Sequence, residues 1–143
     1  MSTWSMKQLA SKMRGLDMAM LSTHSSHGHI ASRPMSNNGE VDYDGTSHYF
    51  AWADSRMAKD IENDAKVAID FQSGEGGNFL FVNVQGMARV LTDPRVMEEH
   101  WHDELERWFK DGVETEGLAM IVVDARRISY WSPDGDGVIE LSA

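Results

Sequence analysis

The sequence places an arginine where a fixed positive charge is unusual. The stretch HIASRPMSNN (29–38) alternates like a half-buried strand, which puts Ala31, Arg33 and Met35 on one face. The residue before a proline is biased to extended backbone, so Pro34 keeps Arg33 in strand geometry. A guanidinium among apolar neighbours needs an anionic partner. The chemistry that this stretch predicts is therefore the binding of an anion.

A second arginine stands at a predicted helix start. The stretch DSRMAKDIENDA (54–65) places Ser55 and Arg56 in the first turn. Helix N-termini present free N–H groups and a partial positive charge, and Arg56 adds a bidentate donor. Two interpretations of Arg33 stay open: a salt bridge to one of many carboxylates, or a phosphate shared with Arg56. Two arginines from consecutive elements favour the shared phosphate.

Other residue types with chemical potential give weaker signals. In EEHWHDE (98–104), Glu98 or Glu99 is spaced to share a metal with His102 on a helix, but no second copy of the motif completes a site. The cluster THSSHGH (23–29) falls at a hairpin tip, so no metal site is predicted. No serine has an evident base and orienting partner, which argues against nucleophilic catalysis. The absence of cysteine excludes disulfides and thiolate chemistry.

The elements that must position these residues are mostly consecutive strands with short helices between them. Gly86 interrupts a long strand and is a candidate bulge or close-approach point. This order predicts a mainly β (α+β) domain, an antiparallel barrel with flanking helices. Helices are predicted within 2–15, 54–65 and 93–110, and strands within 18–25, 29–36, 48–53, 66–72 and 78–91. The stretch 117–131 gives the sixth strand and allows a seventh, and a tail is predicted from 132.

One apolar run predicts burial on both faces of its strand. LAMIVV (118–123) is apolar at successive positions instead of alternating. A barrel interior covers only one of these faces. A second copy of the chain is the simplest cover for the other face, so the sequence predicts a homodimer.

Composition bounds the class of protein. The 143 residues suit one domain, 1–143, and 41% of them are hydrophobic. The formal net charge of -10 argues against nucleic acid or an anionic membrane as partner. No window is apolar over the length of a membrane span, and no apolar segment of signal-peptide length opens the chain. These features, with the lack of cysteine, predict a cytoplasmic protein.

Four motifs in this order resemble a known family. They are SRPMS, YFAWADSRM, VQGMARVLTDP and ISYW, and the resemblance covers roughly residues 18–131. They are similar to the pyridoxamine 5'-phosphate oxidase-like flavin-binding split barrels, in particular the general stress protein branch. The resemblance implies a six-stranded antiparallel split β-barrel. It also implies a homodimer with two FMN sites at its interface, and the sequence leaves FAD open as the alternative flavin.

The resemblance also implies cofactor-binding positions. Met57 stands where the family usually has a lysine, and Ala51 where a hydroxyl residue is common. Trp131 and Trp108 match tryptophans that approach the flavin from the two subunits. The full implied set is Arg33, Pro34, Met35, Ser36, Phe50, Ala51, Ser55, Arg56, Met57, Phe81, Trp108 and Trp131.

Three functions remain open at this stage. True oxidases of this family carry an Arg-x-His element near the C-terminus, and SPDGDGVIELSA (132–143) contains neither residue. The sequence therefore predicts that pyridoxamine phosphate is not the substrate. The favoured hypothesis is a flavin-dependent oxidoreductase of unknown substrate. The alternatives are a non-catalytic flavin carrier or stress-related sensor, and a structural dimer that has lost the cofactor.

Overall fold

Seven antiparallel strands form a single sheet in the computed structural model, which describes residues 4–37 and 42–141. The predicted mainly β fold is confirmed, whereas the predicted number of six strands is wrong. The strands are β1 (Met18–His24), β2 (Ile30–Ser36), β3 (Thr46–Trp52), β4 (Lys66–Glu75), β5 (Asn78–Leu91), β6 (Leu118–Ser132) and β7 (Gly135–Glu140). The helices are α1 (Met6–Met13), α2 (Arg56–Asn63) and α3 (Pro94–Glu98), with 3₁₀ turns at Asp103–Arg107 and Gly112–Glu114.

The sheet is a split barrel. Its hydrogen-bonded order is β2-β1-β4-β5-β6-β3, so β2 and β3 stand at opposite ends of the path. A side-chain hydrogen bond connects these ends, because the Tyr49 hydroxyl on β3 donates to Asn37 Oδ1 just after β2, at 2.7 Å. Among the described residues, no helix is long and apolar enough to cross a membrane.

The seventh strand comes from the stretch predicted as a tail. Ser132 pairs with Gly135, whose φ of 120° suits glycine, so the chain folds back on β6 within two residues. Strands β3 and β7 then lie end to end along one edge of β6, opposite residues 118–124 and 127–132. The gap between them is closed by two backbone bonds: the Ala125 N–H donates to Gly45, and the Leu141 N–H donates to the Arg126 carbonyl.

The main core lies inside the barrel. It is built from the inward-facing residues of the strands. Leu9 and Met13 of α1 close it, as their helical spacing predicts, and Trp4 joins them from the segment before the helix. The Trp4 ring stacks on Tyr130 at 4.2 Å between centroids, and its backbone N–H donates to the Tyr130 hydroxyl at 2.6 Å. Fully buried members from the strands include Leu21, Ile69, Val84, Ile121 and Ile128.

Gly86 marks a bulge where β5 crosses β6, as predicted. The register between these strands shifts between Gln85 and Gly86. A Cβ at position 86 would lie 2.6 Å from the Asp124 carbonyl oxygen, closer than real contacts allow. The glycine therefore permits the close approach of the two longest strands.

A second hydrophobic cluster covers the outer face of β6. Leu118, Met120 and Val122 pack there against residues of the segment 94–113, including Met97 and Phe109. Burial of LAMIVV on both faces is therefore confirmed. The chain itself supplies the cover that was assigned to a second copy, so this face no longer supports the homodimer, which stays a prediction.

The predicted helix over 93–110 is broken. Helix α3 ends at Glu98, and His102 is extended, with φ −135°. This break lets Trp101 turn onto the sheet, where its ring meets Phe50 edge-on at 5.1 Å and lies 6.3 Å from Phe109. Burial of aromatic surface has overridden helix propensity here.

Candidate functional site

The start of α2 presents an anion-facing group of donors. Ser55 is the N-cap, with extended backbone, and its hydroxyl accepts from the Ala58 N–H at 3.2 Å. The predicted helix start is thereby confirmed. The Arg56 side chain is exposed, and no residue of the described ranges pairs with its guanidinium. The free N–H groups of the first turn and this unpaired cation together favour a negatively charged ligand.

The buried face of α2 is apolar except at one position. Met57, Ala58 and Ile61 belong to the main core, and Met57 is only 7% exposed. The side chain at the position where the family usually has lysine therefore points inward. Asp60 shares this face and is 4% exposed, which makes it a buried carboxylate.

Arg33 is the partner of that carboxylate. Its Nη2 lies 3.8 Å from Asp60 Oδ2, and the Arg33 side chain is 23% exposed. Nη1 donates to Thr23 Oγ1 at 2.9 Å and to the carbonyls of Leu21 and Ala31, both at 3.2 Å. Thr23 in turn donates its hydroxyl to Asp60 Oδ2 at 3.0 Å. Of the two interpretations left open above, the salt bridge is the one present in this structure.

The electrostatics of this group follow from its burial. Desolvation lowers the pKa of Arg33, and the Asp60 carboxylate opposes that effect. Thr23 is 1% exposed and Asp60 is 4% exposed, so both lie away from bulk water, whereas the Arg33 side chain is partly exposed. Arg33 meets α2 at Asp60, one turn beyond Arg56, which is about 6 Å along a helix axis. The structure therefore brings both arginines to α2 but to different turns, and their joint binding of a phosphate stays a prediction.

The remaining predicted residues divide between the core and the surface. Met35 is buried in the core, and half-buried Ala51 packs against it. Phe50 is half-buried on the opposite face of β3 and contacts the second cluster. In the segment 94–113, Trp108 is the one exposed large hydrophobic residue, with 69% of its surface accessible.

Several exposed predicted residues gather on the outer face of the barrel. Phe81 and Trp131 are register partners on β5 and β6, 42% and 44% exposed. Pro34 on β2 is paired with Met20 on β1, and both are exposed. An outer groove of about 420 Å³ joins Met18, Met20, Pro34 and Phe81 on this face, with Asp70 and Gln72 beside them.

A second cavity was not predicted from the sequence. It measures about 200 Å³ and lies between the edge of β3, residues 36–37 and the segment 99–105. The imidazoles of His48 and His100 stack inside it at 3.6 Å between centroids. Burial, and then His100, lower the pKa of His48. The only feature of the sequence that pointed to this cavity was the alternation of β3, which puts His48 on the same face as Phe50. In the described ranges, no three side chains of His, Asp or Glu converge as metal ligands.

Comparison with protein families assigns the family of this chain. The family described as "Pyridoxamine 5'-phosphate oxidase like" matches residues 5–142. The chain therefore belongs to the pyridoxamine 5'-phosphate oxidase-like family. No curated protein matches it significantly.

Solved structures share the fold at low sequence identity. General stress protein 26 from Bacillus anthracis superposes with a TM-score of 0.76 at 20% identity, over 95% of this chain and 98% of the other. A FAD-binding protein from Mesorhizobium loti gives 0.69 at 15%, over 90% and 95%. A heme binding protein from Mycobacterium smegmatis gives 0.72 at 10%, over 98% and 60%. The split barrel itself is thus used by proteins with different bound groups.

The residues present fit a flavin phosphate in part. Ser55, Arg56 and the first turn of α2 supply hydrogen bonds and one cation. Met57 is withdrawn into the core and supplies none. Arg33 already has a carboxylate partner. The chain therefore offers one uncompensated guanidinium where the sequence predicted two.

Proposed function

We propose that this chain is a flavin-binding protein of the pyridoxamine 5'-phosphate oxidase-like family, with FMN as the cofactor and FAD as the alternative. The observation that carries the proposal is the start of α2. Ser55 and the exposed, unpaired Arg56 follow directly on β3, whose Phe50 and Ala51 match the family's flavin-contacting positions. Arg56 would hold the phosphate, and the flavin ring would lie beside β3.

We further propose that the protein is a homodimer with its two flavin sites at the interface. The support is the outer face of the barrel, where Met18, Met20, Pro34, Phe81 and Trp131 are exposed together. Apolar groups that are scattered singly need no explanation, but a joined set of this kind is typical of an interaction surface. The mass in sedimentation equilibrium tests this: twice 16.1 kDa is expected, and a monomer at micromolar concentration would contradict it.

The flavin, when bound, supplies hydride or electron transfer, and the protein binds and orients it. An oxidoreductase of unknown substrate is the favoured role, and a carrier or sensor without turnover is the alternative. Anaerobic addition of NADPH or NADH separates them, because bleaching of the flavin absorbance is expected only for the oxidoreductase. A cytoplasmic location remains a prediction from the sequence.

The decisive experiment on the cofactor is the absorbance spectrum of the purified protein, followed by release and identification of any chromophore. Bands near those of free flavin are expected, and a Soret band or a colourless protein that cannot be reconstituted with FMN would contradict the proposal. Arg56→Ala is expected to weaken FMN binding about 10- to 100-fold, as for a lost hydrogen bond to a charged group.

Lys59→Ala is the matched control for Arg56→Ala, because Lys59 is also an exposed cation of α2 but lies three residues, about 4.5 Å along the helix axis, beyond Arg56. It should change FMN affinity less than threefold, in line with the small worth of exposed charges. Equal losses in the two variants would mean that general charge, and not the helix start, attracts the cofactor.

A further inference from the structure

The two arginines that reach α2 differ in their electrostatic situation. Arg56 is exposed and unpaired within the described ranges, so its whole charge is available to a ligand. Arg33 lies beside Asp60, a carboxylate that is 4% exposed. Seen from the solvent at the start of α2, Arg33 and Asp60 together carry no net charge. Only one of the two guanidinium groups can therefore act as an uncompensated cation.

The contacts of Asp60 resemble those that a bound anion would make. Its Oδ2 accepts the Thr23 hydroxyl at 3.0 Å and lies 3.8 Å from Arg33 Nη2. Nη1 is directed to Thr23 and to the carbonyls of Leu21 and Ala31. These contacts hold the guanidinium on the inner side of the β1–β2 hairpin. Moving it to a ligand at the helix start would leave the buried carboxylate unpaired, which is strongly unfavourable.

We infer that Asp60 is a specificity-determining residue: it is an internal counter-anion that cancels Arg33 and so lowers the preference of the site for a phosphate dianion. A phosphate monoester such as that of FMN carries close to two negative charges at neutral pH. The ligand class that follows is a flavin whose terminal phosphate is held by one uncompensated cation, Arg56, and not by two. This inference rests on the proposed function.

The test compares FMN with riboflavin, which differ only in the phosphate. The variant is Asp60→Asn, in which the amide oxygen can still accept from Thr23 while the negative charge is gone. Glu62→Gln is the matched control, because it removes the same charge from an exposed position of the same helix. Dissociation constants are measured for both flavins by fluorescence titration of the three proteins.

In the parent protein, FMN is expected to bind about 10- to 100-fold more tightly than riboflavin, which is the effect of Arg56 alone. Asp60→Asn should strengthen FMN binding about tenfold, since a charged guanidinium then becomes available to the phosphate, and should leave riboflavin unchanged. Glu62→Gln should change neither flavin by more than about twofold. A parent that prefers FMN more than about a thousandfold, as two uncompensated cations would give, or an Asp60→Asn protein with the parent's ratio, would overturn the inference.

Two further measurements keep the inference separate from the proposed function and from folding defects. Inorganic phosphate should raise the Tm of Asp60→Asn but not that of Glu62→Gln, whether or not any flavin binds; equal responses would overturn the inference. If none of the three proteins binds flavin, the proposed function alone fails.

If Asp60→Asn does not fold, the double variant Arg33→Gln/Asp60→Asn removes both members of the ion pair together. Its affinity for FMN should stay within about threefold of the parent's, and a tenfold loss would refute the role of Asp60.

Discussion

The two faces of β6 are both buried, but by different kinds of structure. The inner face, with Ile121, Ile128 and Tyr130, meets the regular strands of the barrel. The outer face, with Met120, meets a segment of short helical turns that is anchored by Trp101. Alternation of apolar and polar residues along a strand indicates only which side chains share its inner face. What covers an outer face depends on separate stretches of sequence, and the same burial can arise without any regular partner element.

The largest expected effect on stability comes from substituting one buried residue on each face of β6. Ile121→Ala and Met120→Ala each remove a fully buried side chain from adjacent positions of β6. Substitutions of this kind cost about 2–5 kcal/mol in the free energy of unfolding, depending on how far the surroundings can collapse. We expect Ile121→Ala in the upper half of this range, since the hydrogen-bonded strands cannot follow, and Met120→Ala in the lower half. Urea denaturation measures both, and equal losses would remove the distinction between the faces.

A smaller effect is expected from the anchor of the outer cover. Trp101→Ala loses ring contacts with Phe50 and Phe109 and should cost about 2 kcal/mol, less than for a fully buried aromatic because Trp101 is half-buried. Hydrogen exchange should become faster in residues 94–113 and stay slow in β1 and β4. Trp108→Ala removes an exposed indole and should change stability by less than about 0.5 kcal/mol. Faster exchange throughout the barrel would show that the two faces unfold as one unit.

The smallest expected effect concerns pH and the edge of the same cover, where His48 stacks on His100. The pKa of His48 is lowered in the folded protein, so the unfolded chain binds this proton first as the pH falls. The contribution of neutral His48 to the free energy of unfolding is therefore constant above the pKa that this residue has in the unfolded chain. It is lost as the pH falls below about 6.5. Arg89, Asp44 and Asp124 also act on the pKa of His48.

His48→Asn is expected to show a shallower loss of Tm than the parent between pH 7 and pH 5. Titrations shared by both proteins cancel in the difference between the two curves, so the difference reports His48. If the two curves of Tm against pH superimpose, protonation of His48 does not destabilise the folded protein.

The parts that the sequence predicted correctly are those controlled by local pattern. Alternation placed Arg33 and Met35 on the inner face, the Ser55 cap located the start of α2, and Gly86 located the bulge. The parts that it did not predict depend on contacts between distant stretches. Helix spacing over 93–110 gave no sign that Trp101 would leave the helix for Phe50.

The candidate site divides in the same way. Asp60 was one of many acidic residues of a predicted helix, and nothing local marked it as the partner of Arg33, 27 positions earlier. The ion pair exists because β2 and α2 both pack on β1, which is a property of the sheet order. The seventh strand was also missed, since its GDGVIE sequence is short and rich in glycine.

The arrangement of β3 and β7 along one edge of β6 has a consequence for solubility. LAMIVV is six apolar residues without charge or proline, the kind of segment that seeds cross-β assembly when its backbone is exposed. In the folded chain β5 pairs one edge of this run and β3 pairs the other, and β7 continues the protection to Ser132. No incoming strand can therefore add to β6 from outside. For this run, backbone exposure is greatest before β3 docks, so we expect the β3–β6 pairing to be the folding step that protects it from aggregation.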